Sequence, residues 1–202
     1  MAAFARTAST TLTRQSARGP LVYVEPGSGE AQATVMEQHL ASGGQGLLDA
    51  VLTGDSLHHL NERHTVVEEE GGPVFYVERY RAAAGESYAV FAPDGAPLAE
   101  YLSGDVVELR DGTGAPVGFL RRAKDRLEIV ERGASVIGQC WRQPVDLDWM
   151  VDDAWGLTVL EEPSVLDRRG LVAAPLVCRL WWSGPPRRQD EQTGLLRRAF
   201  LS

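Results

Sequence analysis

Gly95-Ala96-Pro97-Leu98, Gly114-Ala115-Pro116-Val117 and Gly133-Ala134-Ser135-Val136 stand 19 residues apart both times. Each follows a run of strand character and precedes another. Glycine supplies the positive φ of a tight hairpin, so the unit reads as strand, Asp/Gly turn, strand. Two copies continue into a glycine, as Val117-Gly118 and Ile137-Gly138, and Val151 to Leu157, with Gly156, is a looser fourth copy. Around the turns the chain has period two. Tyr88, Val90 and Ala92 share a side, Val107 and Leu109 alternate with Glu108 and Arg110, and Leu127 and Ile129 flank Glu128. Leu147, Trp149 and Val151 alternate with Asp148, Met150 and Asp152, which predicts Trp149 inward beside Leu147 and Val151. Antiparallel sheets with one wet face produce such alternation. The expected fold is mainly β: an antiparallel meander closed into a barrel, or a sandwich, with one or two short helices. Closure would remove the sheet edges.

Outward from the repeats the signals are mixed. Val74–Tyr80 is rich in β-branched and aromatic residues and reads as a strand. Leu21–Val24 is a short β run, and Ala33–Leu40 reads as a return strand or a helical turn. Residues 47–60 carry Leu47, Leu48, Val51 and Leu52 at helical spacing. Leu171–Trp182 is strongly apolar, but Pro175 demotes a central strand, leaving an edge strand or two short pieces. The expected organisation is a flexible basic tail at 1–19, a single β-rich domain at 20–182, and a basic tail with a short helix at 183–202.

The 202 residues carry a net charge of -8, which argues against a general nucleic-acid binder. Charge is uneven: +3 over residues 1–24, +2 over 183–202 and -13 between. Lys124 is the one lysine, and the Arg, Ala and Gly usage points to a high-GC, bacterial genome, while two cysteines outside any disulfide framework lead one to expect a reducing, cytoplasmic setting. Cys140 and Cys178 form no C-x-x-C pair and read as buried free thiols. No apolar run approaches the ~20 residues of a membrane-spanning helix. The acid-free first twenty residues resemble an organellar transit peptide in composition, although a disordered tail is the plainer reading.

The stretches Tyr88 to Gly95, Leu109 to Gly118 and Asp146 to Gly156 follow a repeated strand–Asp-x-x-Gly–strand pattern. In this they resemble the superfamily that joins tubby carboxy-terminal domains, LURP-one-related proteins and phospholipid scramblases. The resemblance covers about 75 residues, from Tyr88 to Glu162. It implies a closed barrel of about twelve strands around a hydrophobic central helix, and association with lipid headgroups or membrane-linked regulation. Leu171–Trp182 departs from the pattern, because Pro175 and Arg179 interrupt the apolar helix the superfamily leads one to expect.

Arg121, Arg122, Lys124 and Arg126 are the densest basic cluster of the body and are placed on a loop between two strands. Several such groups can bond one lipid phosphate; the plainer reading is a solvated turn with Asp125 as local partner. Trp149 and Trp155 belong to a group with Trp141, Trp181 and Trp182 that could line a ligand cavity, though core packing is favoured. If Leu171–Trp182 is a strand, Trp181 and Trp182 point oppositely. Asp146, Asp148, Asp152 and Asp153 crowd one stretch without a calcium-loop spacing, and read as a polar strand face. Asp55, His58, His59 and His64 form the only histidine group, without a second ligand pair. No nucleophile elbow, phosphate loop or dinucleotide fingerprint occurs, so no catalytic residue, metal or cofactor is assigned.

The leading expectation is a non-enzymatic barrel that contacts an anionic lipid surface or a protein partner. A small barrel that binds a hydrophobic molecule in its lumen, as a cyclase or isomerase of secondary metabolism, is the second. An immunity-like or scaffold protein whose acidic face meets a basic partner is the third.

Overall fold

Gly95 and Gly114 have φ of 87° and 83°, and each donates its N–H three residues back, to Ala92 and Asp111. The equivalent donor in the third hairpin is Ala134, with φ 70°, bonding Glu131 O; Gly133 before it has φ 101°. The hydrogen-bonded period is therefore 19 and then 20 residues, one more than the repeated letters show. Bulges at Val90/Phe91, Leu109/Arg110 and Ile129/Val130 follow the same spacing. Asp111 stabilises its turn by accepting from the N–H groups of Thr113 and Ala115.

The computed structural model describes residues 3–39, 62–68, 71–82, 85–104, 106–147 and 150–182. Its twelve strands are β1 Ser9–Arg14, β2 Leu21–Val24, β3 Ala31–His39, β4 Glu62–Glu68, β5 Gly72–Ala82 and β6 Gly85–Phe91, followed by β7 Pro97–Leu102, β8 Val107–Asp111, β9 Pro116–Ala123, β10 Arg126–Glu131, β11 Val136–Leu147 and β12 Met150–Val159. Each pairs antiparallel with the next, and β1 pairs with β12, so the meander closes into a barrel. The helix expected at 47–60 and the tail helix expected beyond 183 lie outside the described residues.

Within the range 1–19, expected as a flexible tail, the described residues from 3 onward include a strand of the barrel. β1 lies within them and closes the barrel: Leu12 faces Trp155 on one side and Tyr23 on the other and is fully buried. Before it, Phe4–Arg6 form a 3-10 turn, and the Phe4 ring packs 4.8 Å from Tyr23. The strand is Ser-Thr-Thr-Leu-Thr-Arg, so β-branched threonines carry the strand preference and a single leucine carries the burial.

Leu171–Trp182 is helical, not an edge strand. α1 spans Arg168–Val172 and α2 spans Ala174–Trp182. Asp167 caps α1 by accepting from Arg169 N–H at 2.8 Å. Pro175 falls in the first turn of α2, where its missing N–H leaves no helical bond unmade. Leu171, Val172, Ala173, Ala174, Leu176 and Cys178 are fully buried. A helix apolar on all sides needs apolar walls all round it, and the lumen supplies them. On β7, Tyr101 Oη donates to Gly170 O at 2.7 Å, and a side chain on Gly170 would strike Ala99. On β12, Asp152 binds Arg179 Nη2 through both carboxylate oxygens at 2.8 and 2.9 Å. These strands stand apart in the ring, so the helices bridge the lumen from wall to wall.

Glu131 positions the connection into α1. Only 4% exposed, it accepts from the N–H groups of Ser164, Val165 and Leu166 and from Ser164 Oγ. Burial alone would raise its pKa, but these donors outweigh burial and hold the carboxyl below the usual glutamate value. A depressed pKa contributes stability that is present above the unfolded-state value and is lost as pH falls through the folded-state value. Glu131→Gln should therefore be less stable than wild type at neutral pH and should show a shallower stability loss below the ordinary glutamate range of about 4.3. Denaturant titrations at neutral and acidic pH test this, and parallel pH profiles would refute it.

A basic mouth over an apolar floor

The up-and-down connectivity puts the repeat turns at one end of the barrel and the Lys124-Asp125 turn at the other. At that second end, directly paired residues on β9, β10, β11 and β12 form one row: Arg122, Leu127, Cys140 and Leu157. Paired antiparallel residues share a face. Leu127, Cys140 and Leu157 are buried inside, so Arg122 continues an inward-facing row to the rim. Arg142 pairs with Trp155 in the next row. Together they frame an open pocket of about 160 Å³. Its rim carries Arg122, Lys124, Asp125, Arg126 and Arg142, all exposed, and its floor is Leu127, Cys140 and Trp155. Trp182, at the end of α2, closes one side. The volume is below the ~300–1,000 Å³ that encloses a drug-sized ligand, so the pocket suits a single small group.

The cluster is not a loop. Arg121 and Arg122 are on β9, Arg126 opens β10, and only Lys124 and Asp125 form the turn. Arg121 points to the opposite face from Arg122 and bonds Glu128 at 2.6 and 3.0 Å, so it does not join the pocket. Arg126 lies 4.0 Å from Glu128, whereas Arg122 and Lys124 have no ion-pair partner among the described residues, Asp125 included. Lys124 has φ 48°, a left-handed backbone that costs a non-glycine residue on the order of 1–2 kcal/mol. The two-residue β9–β10 turn, closed by the pairing of Ala123 with Arg126, is what holds Lys124 in this backbone.

Trp155 is 3% exposed; Trp182 is 41% exposed, with ring centroids 5.9 Å apart. Arg142 lies 5.5 Å over the Trp182 ring and bonds Asp153 at 2.7 Å. Trp181 packs against the core and meets Trp182 edge-on at 88°, as consecutive helical positions rather than opposite strand faces. Cys140 and Cys178 are both free and buried, and the hydrogen bond between their thiols, with burial, pushes the Cys140 pKa well up. The pocket floor thus holds a neutral thiol that behaves as a small apolar group.

Trp149 and Asp148 lie outside the described residues. Val151 is not inward: it is 66% exposed and pairs with Asp146. Leu147 of β11 pairs with Met150 of β12 and Asp146 with Val151, so the alternation read from Leu147 to Val151 does not hold across the two strands. The looser fourth repeat is likewise not a turn. Gly156 is inside β12, and the Trp141 ring lies where its side chain would be. The acidic stretch divides: Asp152 serves Arg179 and Arg14, and Asp153 serves Arg142. His64 is buried on β4, 3.6 Å from Glu62, and burial pushes its pKa down; Asp55, His58 and His59 are outside the described residues. Among the described residues no His, Cys, Asp or Glu group is arranged to hold a metal, and no helix is long and apolar enough to cross a membrane. The site residue missed in the sequence is Arg142; Trp182 belongs to the tryptophan group that could line a cavity, without a place assigned to it. Arg142 follows Cys140 at period two, a usable signal; Trp182 required the helix. Compared with known protein families, curated proteins and solved structures, the chain has no match.

Proposed function

We propose that the protein is a non-enzymatic binding barrel that contacts anionic lipid through the basic mouth. The observation that carries this reading is the convergence of Arg122, Lys124, Arg126 and Arg142 on one pocket of an otherwise acidic body. Exposed arginines and lysine at an end of the barrel attract lipid phosphates at about 1 kcal/mol each near an anionic surface. Trp182, half-exposed beside them, has the amphipathic ring favoured at a membrane interface. The buried helix pair supports this reading over a lumen-bound substrate, because α1 and α2 occupy the space such a molecule would need. A twelve-stranded barrel around a buried helix is also the architecture implied by the tubby and scramblase resemblance, which supports the same reading.

Co-sedimentation with neutral and anionic vesicles at two salt concentrations tests it. The wild type should bind anionic vesicles only, less so at high salt. Arg122→Glu/Lys124→Glu/Arg126→Glu should abolish binding. Equal sedimentation with neutral vesicles, or none with either, would refute the proposal and direct the search to a protein partner.

A further inference from the structure

The rim and floor of the mouth pocket differ in chemistry, and we infer that the site takes a phosphate monoester bearing an alkyl or aryl group, bound as one molecule. The inference rests on reading the mouth as an anion-contact site and adds what lies beneath the anion. Around the rim Arg121, Arg122, Lys124, Arg126 and Arg142 stand against the carboxylates Asp125, Glu128 and Asp153, five cations to three anions and so an excess of two positive charges. A phosphate monoester carries about -1.5 to -2 at neutral pH and three acceptor oxygens, which matches that excess. A diester or a carboxylate, with one charge, leaves part of it unanswered.

Below the rim the surface is apolar. Leu127 and Trp155 are 7% and 3% exposed and Cys140 is fully buried, so the little surface the floor shows is apolar, and the 41% exposed Trp182 beside it adds to that apolar area. An inorganic phosphate would leave the Trp182 face and the floor's remaining apolar surface wet, whereas an ester group would cover them. The Trp155 and Trp182 rings, inclined at 58°, form an aromatic wall against which that group can lie. The same chemistry reaches the pocket from two sources, the headgroup of a phosphomonoester lipid and a free organic phosphate.

Calorimetric titration of the full chain with inorganic phosphate, hexyl phosphate and hexanol tests the inference, alongside vesicles with and without phosphatidic acid. Hexyl phosphate should bind at least about tenfold more tightly than inorganic phosphate, the effect of burying about two methylenes. Hexanol should not saturate the site. Arg126→Ala should weaken both phosphates, and Trp182→Ala, at a half-exposed helix end, should reduce the preference for hexyl phosphate while the barrel still unfolds cooperatively and inorganic phosphate still binds. Equal affinity for the two phosphates would overturn the inference. Charge-dependent vesicle binding with no binding of either soluble phosphate would also overturn it, yet leave the lipid-contact reading standing. Binding of hexyl phosphate without any vesicle binding would uphold it, assign the free ester as the source and remove the membrane.

Discussion

Asp152→Ala should lower the midpoint of thermal unfolding by roughly 6–12 °C, corresponding to about 3 kcal/mol in a domain of this size. Asp152, on β12, ties the lumen helix α2 to its own strand and to β1. Both its oxygens accept from Arg179 on α2, and one lies 3.2 Å from Arg14 Nε on β1. The Asp152 and Arg179 side chains are only 14% and 11% exposed, so water cannot fully replace the lost carboxylate. Arg179 would keep its bond to Asp153 O at 2.5 Å and lose both ionic ones. The asymmetry of buried pairs supplies a control: Asp152→Leu with Arg179→Met should cost less than Asp152→Ala alone, since no buried charge is then left uncompensated. Differential scanning of the single and double variants decides this. A loss below about 1 kcal/mol for the single variant would mean the pair is effectively solvated.

Leu176→Ala should cost about 3 kcal/mol, within the range found where a core cannot collapse around a lost side chain. Leu176 is fully buried on α2 inside a closed sheet. The hydrogen-bonded ring resists contraction, so the cavity should persist. Denaturant unfolding reads the loss, with an unchanged m-value if the native barrel stays as compact. A cost near that of an exposed leucine would contradict the placement of the helix in the lumen.

The meander was legible because its physics is local. Period-two alternation and turn glycines operate within hairpins, and Gly95 and Gly114 have the positive φ that their turns require. Ala134 shows the limit: an alanine takes the left-handed position, so the repeated letters align one residue out of step with the hydrogen bonds. β1 escaped notice because its burial comes from closure against β12, a contact between the two ends of the sheet. Helix and strand compete for Leu171–Trp182, whose apolar content marks burial and not period; being surrounded decides for the helix. At the site, Arg122, Lys124, Arg126 and Trp155 could be selected from sequence. Which of them share a face could not, since Arg121 and Arg122 differ only by strand parity.

The most direct test of the basic mouth compares Arg122→Glu with Arg132→Glu in vesicle flotation. Both change net charge equally, and Arg132 lies in the β10–β11 turn at the other end of the barrel. Arg122→Glu should weaken binding to anionic vesicles more than roughly tenfold and Arg132→Glu less than about twofold. Equal losses would show that net charge alone governs any attraction and would contradict a site at the mouth.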